Sequence, residues 1–273
     1  GMTAALLGVL SPGDNVLVTS NCHASVYNAL VLCGAKPYFI SPEITGSGMC
    51  AGVDPKKAEK LLASRPFKAF VLPSVTYEGF CSDIGELTRA AHSHGCLLIA
   101  DSCHGAHFVF SPFFPETALK QGADIAVTSW HKTLPAFNQC AVLNSALPGN
   151  ERLDFAVSCM NTTSPSYPIM LSADRSREKL LRDGTLFEKY IVKLKELRKE
   201  LSENRVFSLV TDEIKGRYAI KDIDRGKLTI SVNTDISGTE LAKRLREEFS
   251  LEVEFAGTNH IIAMTSVADD FNA

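Results

Sequence analysis

Short apolar runs alternate with amphipathic segments through the first half of the chain. Apolar runs of this length predict buried strands, and the amphipathic segments predict helices. Strands separated by helices in this way predict an α/β fold, in which a mostly parallel sheet is flanked by helices. The predicted strands are 16–19, 37–40, 69–72, 96–101 and 124–128, and the predicted helices are 23–34, 55–64, 83–94 and 115–121.

Residues that typically begin or end helices stand at the predicted boundaries. Asp54 followed by Pro55 is typical of a helix N-cap and first helical position. Glycines stand at the ends of three of the predicted helices, at Gly34, Gly95 and Gly122. Glycine is common just beyond a helix C-terminus, because it adopts the left-handed conformation at little cost. These residues support the alternation of strands and helices.

The pattern changes after about residue 145. A polar stretch at 161–168 leads into a long charged amphipathic helix predicted at 170–204. An alternating strand at 227–232 follows, and Ser237 then begins a capping box and a helix that reaches Phe249. Two short strands run on to Ser266. We predict a large domain at 1–200, which includes the connecting helix, and a smaller α+β C-terminal domain at 201–273.

Composition excludes several classes of protein. The chain has 273 residues, 45% of them hydrophobic, with 28 Lys and Arg against 31 Asp and Glu. This near-neutral balance provides no basic surface for nucleic acid or for a membrane, so we expect neither partner. No apolar run approaches the roughly 18–20 residues that span a bilayer. We therefore expect a soluble globular protein.

The eight cysteines are scattered, and no two of them form a CxxC pair. Several lie inside apolar runs, where a free cysteine behaves as a small buried hydrophobic residue. A chain of this length can build a full core without disulfides. We therefore expect free thiols and a reducing, cytoplasmic location.

The first candidate site follows the predicted strand 96–101. Asp101 stands at its carboxyl end, which is where open α/β sheets bind ligands. Two structural alternatives are that Asp101 caps a turn and that the nearby histidines bond to backbone groups. A third alternative is a zinc site formed by Cys103, His104 and His107. This set lacks a second carboxylate or a further pair of metal-ligating residues at a suitable spacing, so we predict no metal.

The second candidate site follows the next strand. Lys132 stands at the same edge of the predicted sheet as Asp101, although a lysine is most often a solvated surface residue. A lysine whose charge is suppressed can form an imine with an aldehyde cofactor. Ser129 and His131 are suitable donors for a phosphate, and Asp101 can pair with a protonated pyridine nitrogen. These are the groups that pyridoxal phosphate requires.

Five strings in the correct order resemble the pyridoxal-phosphate-dependent Orn/Lys/Arg decarboxylases. The strings are 21–26 (Asn-Cys-His-Ala-Ser-Val), 74–79 (Ser-Val-Thr-Tyr-Glu-Gly), 101–107 (Asp-Ser-Cys-His-Gly-Ala-His), 129–136 (Ser-Trp-His-Lys-Thr-Leu-Pro-Ala) and 163–167 (Thr-Ser-Pro-Ser-Tyr). The resemblance implies the large domain of an aspartate-aminotransferase-like fold. It also implies decarboxylation of arginine, lysine or ornithine in a homodimer, with string 163–167 near the subunit interface.

The resemblance also implies roles for individual residues. Lys132 would hold pyridoxal phosphate as a Schiff base, while Asp101 would keep the ring nitrogen protonated. His23 would stack on the ring, and His104 would lie on the substrate side. The implied catalytic residues are Lys132, His23 and His104, and the implied cofactor-binding residues are Asp101, His23, Ser129, His131, Lys132, Cys103 and Thr76.

The sequence also departs from the family pattern. We expect the chain to begin inside the first helix of the large domain, without the preceding phosphate-binding loop and without the separate C-terminal domain. Individual departures are Ala24 for lysine, Ser102 for glutamate, Cys103 for alanine and Trp130 for a smaller residue. Two alternatives follow. One is a shortened, cofactor-poor or inactive homologue that keeps the fold, and the other is an aminotransferase that uses Arg175 or Arg177 for the substrate carboxylate.

Overall fold

The computed structural model describes residues 1–204, 206–232 and 236–271. The strands are β1 (Asn15–Thr19), β2 (Lys36–Ile40), β3 (Ala69–Pro73), β4 (Phe80–Cys81), β5 (Leu97–Asp101), β6 (Ile125–Ser129), β7 (Ala141–Ser145), β8 (Phe207–Leu209), β9 (Asp222–Ile223), β10 (Lys227–Val232), β11 (Phe255–Ala256) and β12 (His260–Met264). The helices are α1 (Met2–Val9), α2 (Ala24–Cys33), α3 (Pro55–Leu62), α4 (Ile84–Ser93), α5 (Trp130–Thr133), α6 (Glu151–Met160), α7 (Tyr167–Arg182), α8 (Thr185–Ser202) and α9 (Gly238–Phe249), with 3₁₀ turns at Ala106–Phe110 and Asp212–Ile214.

A six-stranded sheet forms the centre of the fold, in the order β2-β1-β3-β5-β6-β7. The first five strands are parallel, and β7 runs antiparallel to β6. Helices cover both faces, and the inner strands β1, β3, β5 and β6 are accordingly buried on both sides. Val16 and Val18 pack with α1 and α2 on one face, whereas Leu17 packs with α3 and α4 on the other. The predicted α/β fold with a mostly parallel sheet is confirmed.

A second, antiparallel sheet forms from the last part of the chain, in the order β11-β12-β10-β8. It packs on α8 and α9 through an apolar cluster that includes Leu194, Leu228 and Ile261. The same cluster contains Val75 and Phe114 from the first half of the chain. In addition, β4 pairs with β9. Elements from both halves of the chain therefore share this apolar cluster, and the division at residue 200 stays a prediction.

The prediction of a helix at 115–121 is wrong. The segment forms turns, with the Gln121 amide donating to the Thr117 carbonyl at 3.2 Å. Pro115 is the first residue of the segment and Gly122, at φ +97°, follows it, which leaves room for at most about two helical turns. So short a helix gains too few hydrogen bonds to offset the cost of nucleation.

The single long helix predicted at 170–204 is also wrong, because the structure divides it into α7 and α8. The break falls at Asp183 and Gly184. The Asp183 carboxylate accepts hydrogen bonds from the Thr185 amide at 3.2 Å and the Thr185 hydroxyl at 2.7 Å. A side chain that bonds the local backbone in this way competes with helix continuation, and glycine is a weak helix former.

In the three described segments, none of the helices combines the length and the apolar character needed to cross a membrane.

Candidate active site

The carboxyl ends of β3, β5 and β6 open into a cavity of about 490 Å³, which we call the front cavity. Pro73, Asp101 and Ser129, the last residues of these strands, line it together with the start of α1. Because the carboxyl ends of parallel strands meet at one edge of a sheet, side chains distant in sequence converge there. This cavity is the candidate active site.

Six of the eight predicted site residues line the front cavity, and two do not. The Thr76 hydroxyl accepts a hydrogen bond from the Phe80 amide at 3.2 Å, within its own turn. The His131 ring donates to the Cys140 carbonyl at 2.8 Å, across the start of β7. Neither belongs to the cavity lining, so their predicted contact with a cofactor has no support from this geometry. The six that line the cavity are His23, Asp101, Cys103, His104, Ser129 and Lys132.

Lys132 and His104 form a direct contact in the front cavity. The ammonium group of Lys132 donates to Nε2 of His104 at 3.1 Å. Burial, together with the nearby charges of Lys227 and Lys132, lowers the pKa of His104 to about 2. The imidazole is therefore neutral and carries its proton on Nδ1. That buried Nδ1 has no hydrogen-bond partner among the described residues, which fits a site that receives a further polar group.

We expect the His104 ring to remain neutral in the folded protein between about pH 5 and 8, the range in which an ordinary histidine titrates. Its NMR ring-proton shifts, assigned by their loss in a His104→Gln variant, should stay constant across this range. Because unfolding restores a pKa near 6.5, His104 should also lower folding stability progressively below about pH 6.5. An inflection of the folded-state shifts near pH 6.5 would show that the imidazole is solvated.

Asp101 lies buried at the floor of the front cavity. One carboxylate oxygen accepts a hydrogen bond from the Cys103 amide at 3.1 Å, which fixes the orientation of the side chain. Burial and the Asp101 carboxylate raise the pKa of the Cys103 thiol to about 12. Cys103 is therefore a neutral packing residue beside Asp101 and not a nucleophile.

His23 caps the N-terminus of α2 at the cavity wall. Its Nδ1 accepts a hydrogen bond from the Ser25 amide at 3.1 Å, so the proton of the neutral ring lies on Nε2. The N-cap geometry holds the ring at the rim of the cavity although the side chain is exposed. A ring held in this way can stack on a planar ligand.

Three residues at the cavity were not among the predicted site residues: Tyr77 and Glu254, which line it, and Lys227, which contacts Tyr77. The Tyr77 hydroxyl donates to Glu254 at 2.6 Å, and the Tyr77 ring packs edge-on against His104 with 5.3 Å between ring centroids. Burial and Glu254 raise the pKa of Tyr77 to about 12. Lys227, buried at the start of β10, donates to the Tyr77 carbonyl at 2.6 Å.

The sequence contains a different indication of a position at the cavity for Tyr77 and for Lys227, and none for Glu254. Tyr77 lies in one of the five strings. Lys227 opens an alternating strand, where a lysine inside an apolar pattern can indicate a buried amine. Glu254 carries no such signal, because it reaches the cavity only through the packing of the C-terminal sheet.

The alternative of a zinc site is not supported, because its three candidate ligands do not converge. His104 contacts Lys132, whereas His107 donates to Asp224 at 3.0 Å on a different side of the segment. In the described part of the chain, no group of three or more metal-ligating side chains is placed to bind an ion.

The two arginines of the aminotransferase alternative lie on α7. Arg175 pairs with Glu178 at 3.0 Å, and Arg177 pairs with Asp174 at 2.8 Å. Neither arginine lines the front cavity.

Comparison with known proteins identifies similar sequences over the whole chain. The family model described as Orn/Lys/Arg decarboxylase, major domain, matches residues 1–273. The arginine decarboxylase of Bacillus subtilis (strain 168) is 33% identical over 273 residues, which are 98% of this chain and 56% of that protein. The chain thus spans just over half the length of this curated relative.

Solved structures share the fold. The constitutive lysine decarboxylase of E. coli superposes with a TM-score of 0.82 at 19% identity, over 99% of this chain and 45% of that one. A structure of SPT with PLP superposes with a TM-score of 0.73 at 17% identity, over 99% of this chain and 66% of that one. At these identities the likeness concerns the fold, and it places the chain among the PLP-dependent transferase-like folds.

Proposed function

Because the chain belongs to the Orn/Lys/Arg decarboxylase family, we propose that it binds pyridoxal phosphate and decarboxylates a basic amino acid: arginine, lysine or ornithine. Lys132 is the proposed Schiff-base lysine. The observation that carries the proposal is the position of the Lys132 amine in the same cavity as the buried Asp101 carboxylate, with the neutral His104 bonded to that amine. Family membership supports the reaction type, and the amine, carboxylate and imidazole in the cavity support the choice of residues.

The donor set of the front cavity fits pyridoxal phosphate. A primary amine suits the aldehyde, a buried carboxylate suits a protonated ring nitrogen, and the His23 imidazole suits the ring face. The first amides of α1 and the Ser129 hydroxyl are donors suited to the phosphate. The unpartnered Nδ1 of His104 adds a free donor on the same wall.

Each residue then has a distinct task. Pyridoxal phosphate, when bound, supplies an electron sink for the electron pair that remains when carbon dioxide leaves. Asp101 holds a proton at the ring nitrogen, because an adjacent carboxylate favours the charged form. His104 accepts a hydrogen bond from Lys132 and so orients the amine. As a neutral ring, it adds no second positive charge beside that amine.

Glu254 supports the choice of a basic substrate. It is a carboxylate in the cavity lining besides Asp101, and the Tyr77 hydroxyl fixes its position. A carboxylate at the wall of a cavity attracts a guanidinium or ammonium group and discriminates against acidic side chains. We propose that Glu254 faces the cationic end of the substrate.

Covalent trapping tests the proposal. We expect borohydride reduction of the protein in pyridoxal phosphate to leave a pyridoxyl group on Lys132, located by peptide mass spectrometry. The Lys132→Ala variant should lose this adduct, whereas Lys120→Ala, which removes an exposed lysine outside the cavity, should keep it. An adduct distributed over surface lysines would contradict the assignment. Site-specific trapping without release of carbon dioxide from any of the three amino acids would favour the inactive-homologue alternative.

We also propose a homodimer. Exposed apolar side chains from the start of α7 surround a groove of about 890 Å³, together with Phe137. The α7 residues are Tyr167, Met170 and Leu171, which lie next to string 163–167. Contiguous apolar surface of this kind is typical of protein interfaces. Sedimentation as a strict monomer would contradict this proposal.

A reducing, cytoplasmic location is proposed on the basis of the cysteines. All eight are described, and all eight are free thiols. Their scattered, mainly buried positions match packing residues and not a disulfide framework.

A further inference from the structure

A second cavity, of about 290 Å³, lies behind the front cavity, and we call it the back cavity. Neighbouring residues at the same strand ends line the two cavities in alternation. Pro73 and Ser129 line the front cavity, whereas the next residues, Ser74 and Trp130, line the back cavity. This alternation follows from the two-residue period of extended backbone. The back cavity is therefore a separate space that shares its wall with the proposed active site.

The lining of the back cavity is uncharged. Its polar groups include the buried hydroxyls of Ser74 and Ser102, which bond to each other at 2.8 Å, and the side chain of Asn144. Most of the remaining wall is apolar, and it includes the aromatic rings of Phe108 and Trp130. Such a wall penalises a charged ligand, because no counter-ion offsets the loss of hydration.

Two residues that depart from the family strings line this cavity. Ser102 stands where the family pattern has glutamate, and Trp130 stands where it has a smaller residue. A glutamate at position 102 would bring a longer, charged side chain to the wall. The size and the neutral character of the back cavity thus depend on two residues that depart from the family pattern.

We propose that the back cavity binds a small uncharged organic molecule, mainly apolar and with one hydrogen-bonding group. The volume corresponds to about ten waters at roughly 30 Å³ each, which suits one compact ring compound. The apolar wall would hold the ring, and the serine pair or Asn144 would hold the polar group. Binding of this kind goes beyond the proposed function and does not require the cofactor.

Trp130 provides a direct readout, because it is the single tryptophan of the chain and it lines the back cavity. We expect cyclohexanol to produce a saturable change in tryptophan emission, with a dissociation constant on the order of 1 mM. Cyclohexylammonium has the same ring but a positive charge, and it should produce no saturable change. The absence of saturation with cyclohexanol, or an equal response to the cation, would overturn the proposal.

Two variants locate the binding. Ser102→Glu places a charge in the back cavity, and Val109→Phe narrows it at a lining position that is 61% exposed and so has little effect on folding. Each should raise the cyclohexanol dissociation constant at least tenfold, with the near-UV spectrum confirming a native fold. The matched control is Val31→Phe on α2, at an 81% exposed valine that does not line the cavity, and it should leave the constant unchanged. Equal constants for Val109→Phe and Val31→Phe would show that cyclohexanol binds elsewhere.

Discussion

Replacing Asp101 with asparagine is expected to lower the rate of decarboxylation by about 10²–10³-fold, the usual cost of removing a positioned electrostatic group from an active site. Asparagine keeps the shape of the side chain and can still accept the hydrogen bond from the Cys103 amide. What it removes is the negative charge that, in the proposed function, would hold a proton at the ring nitrogen of the cofactor. The variant should therefore fold normally while losing rate and cofactor affinity together.

The measurement is a paired assay of carbon dioxide release and of pyridoxal phosphate binding. Asp124→Asn is the matched control, because Asp124 stands at the opposite end of the same sheet, just before β6. There its carboxylate accepts hydrogen bonds from His92 at 2.9 Å and from the Leu98 amide at 2.7 Å. A loss of similar size in both variants would mean that a general change in the sheet, and not the charge at Asp101, lowers the rate.

The central sheet could be predicted because the apolar pattern that buries each strand lies within a few consecutive residues. Every strand of the parallel part is an apolar run, and the two cores on its faces take alternate residues such as Val16 and Leu17. The end of strand β5 at Asp101 was equally visible, since a carboxylate cannot continue a buried strand without a partner. The break at Asp183 and Gly184 was missed because the amphipathic pattern continues on both sides of it.

Four of the five strings contribute residues to the front cavity and string 163–167 does not, and the strings did not predict which side chains enter it. Ser129 and Lys132 line the cavity, whereas His131, between them, turns to the Cys140 carbonyl. Direction depends on backbone geometry at the start of α5, which a string of residue types does not specify. The contact between Tyr77 and Glu254 joins residues 177 positions apart, and it arises only when the C-terminal sheet packs against the first half of the chain.

The buried pair formed by His107 and Asp224 is expected to contribute most to the stability of the packing between the C-terminal sheet and the first half of the chain. His107 lies in the 3₁₀ turn after β5, and Asp224 lies just before β10, so the pair joins the two halves of the chain. The Nε2 proton of His107 is donated to Asp224 at 3.0 Å, and the Gly226 amide donates to the same carboxylate oxygen at 2.9 Å. Burial alone would raise the pKa of Asp224, but His107, Lys227 and the Gly226 amide outweigh it and hold that pKa below its usual value.

Asp224→Ala should lower the free energy of unfolding by about 3–5 kcal/mol in denaturant titrations near neutral pH. The reason is that His107 loses its hydrogen-bond acceptor and the buried Lys227 loses a nearby negative charge, and neither side chain can regain water. Asp222→Ala is the matched control, two residues away. Asp222 is half-exposed and pairs with Lys215 and Arg225, and an ion pair in contact with solvent contributes about 1 kcal/mol or less. Equal losses in the two variants would contradict a special contribution from the buried pair.

The pH dependence of Asp224→Ala provides an independent check with a definite sign. Since the pKa of Asp224 is lower in the folded protein than its unfolded value near 3.9, the charged carboxylate stabilises the fold above about pH 4. This contribution is lost as the pH falls through the folded value, where the native protein must also take up the proton. The difference in unfolding free energy between the native sequence and Asp224→Ala should therefore be constant from about pH 5 upwards and decrease in more acidic solution. A difference that grew on acidification would mean that Asp224 is protonated in the folded protein, and that His107 donates to a neutral acid.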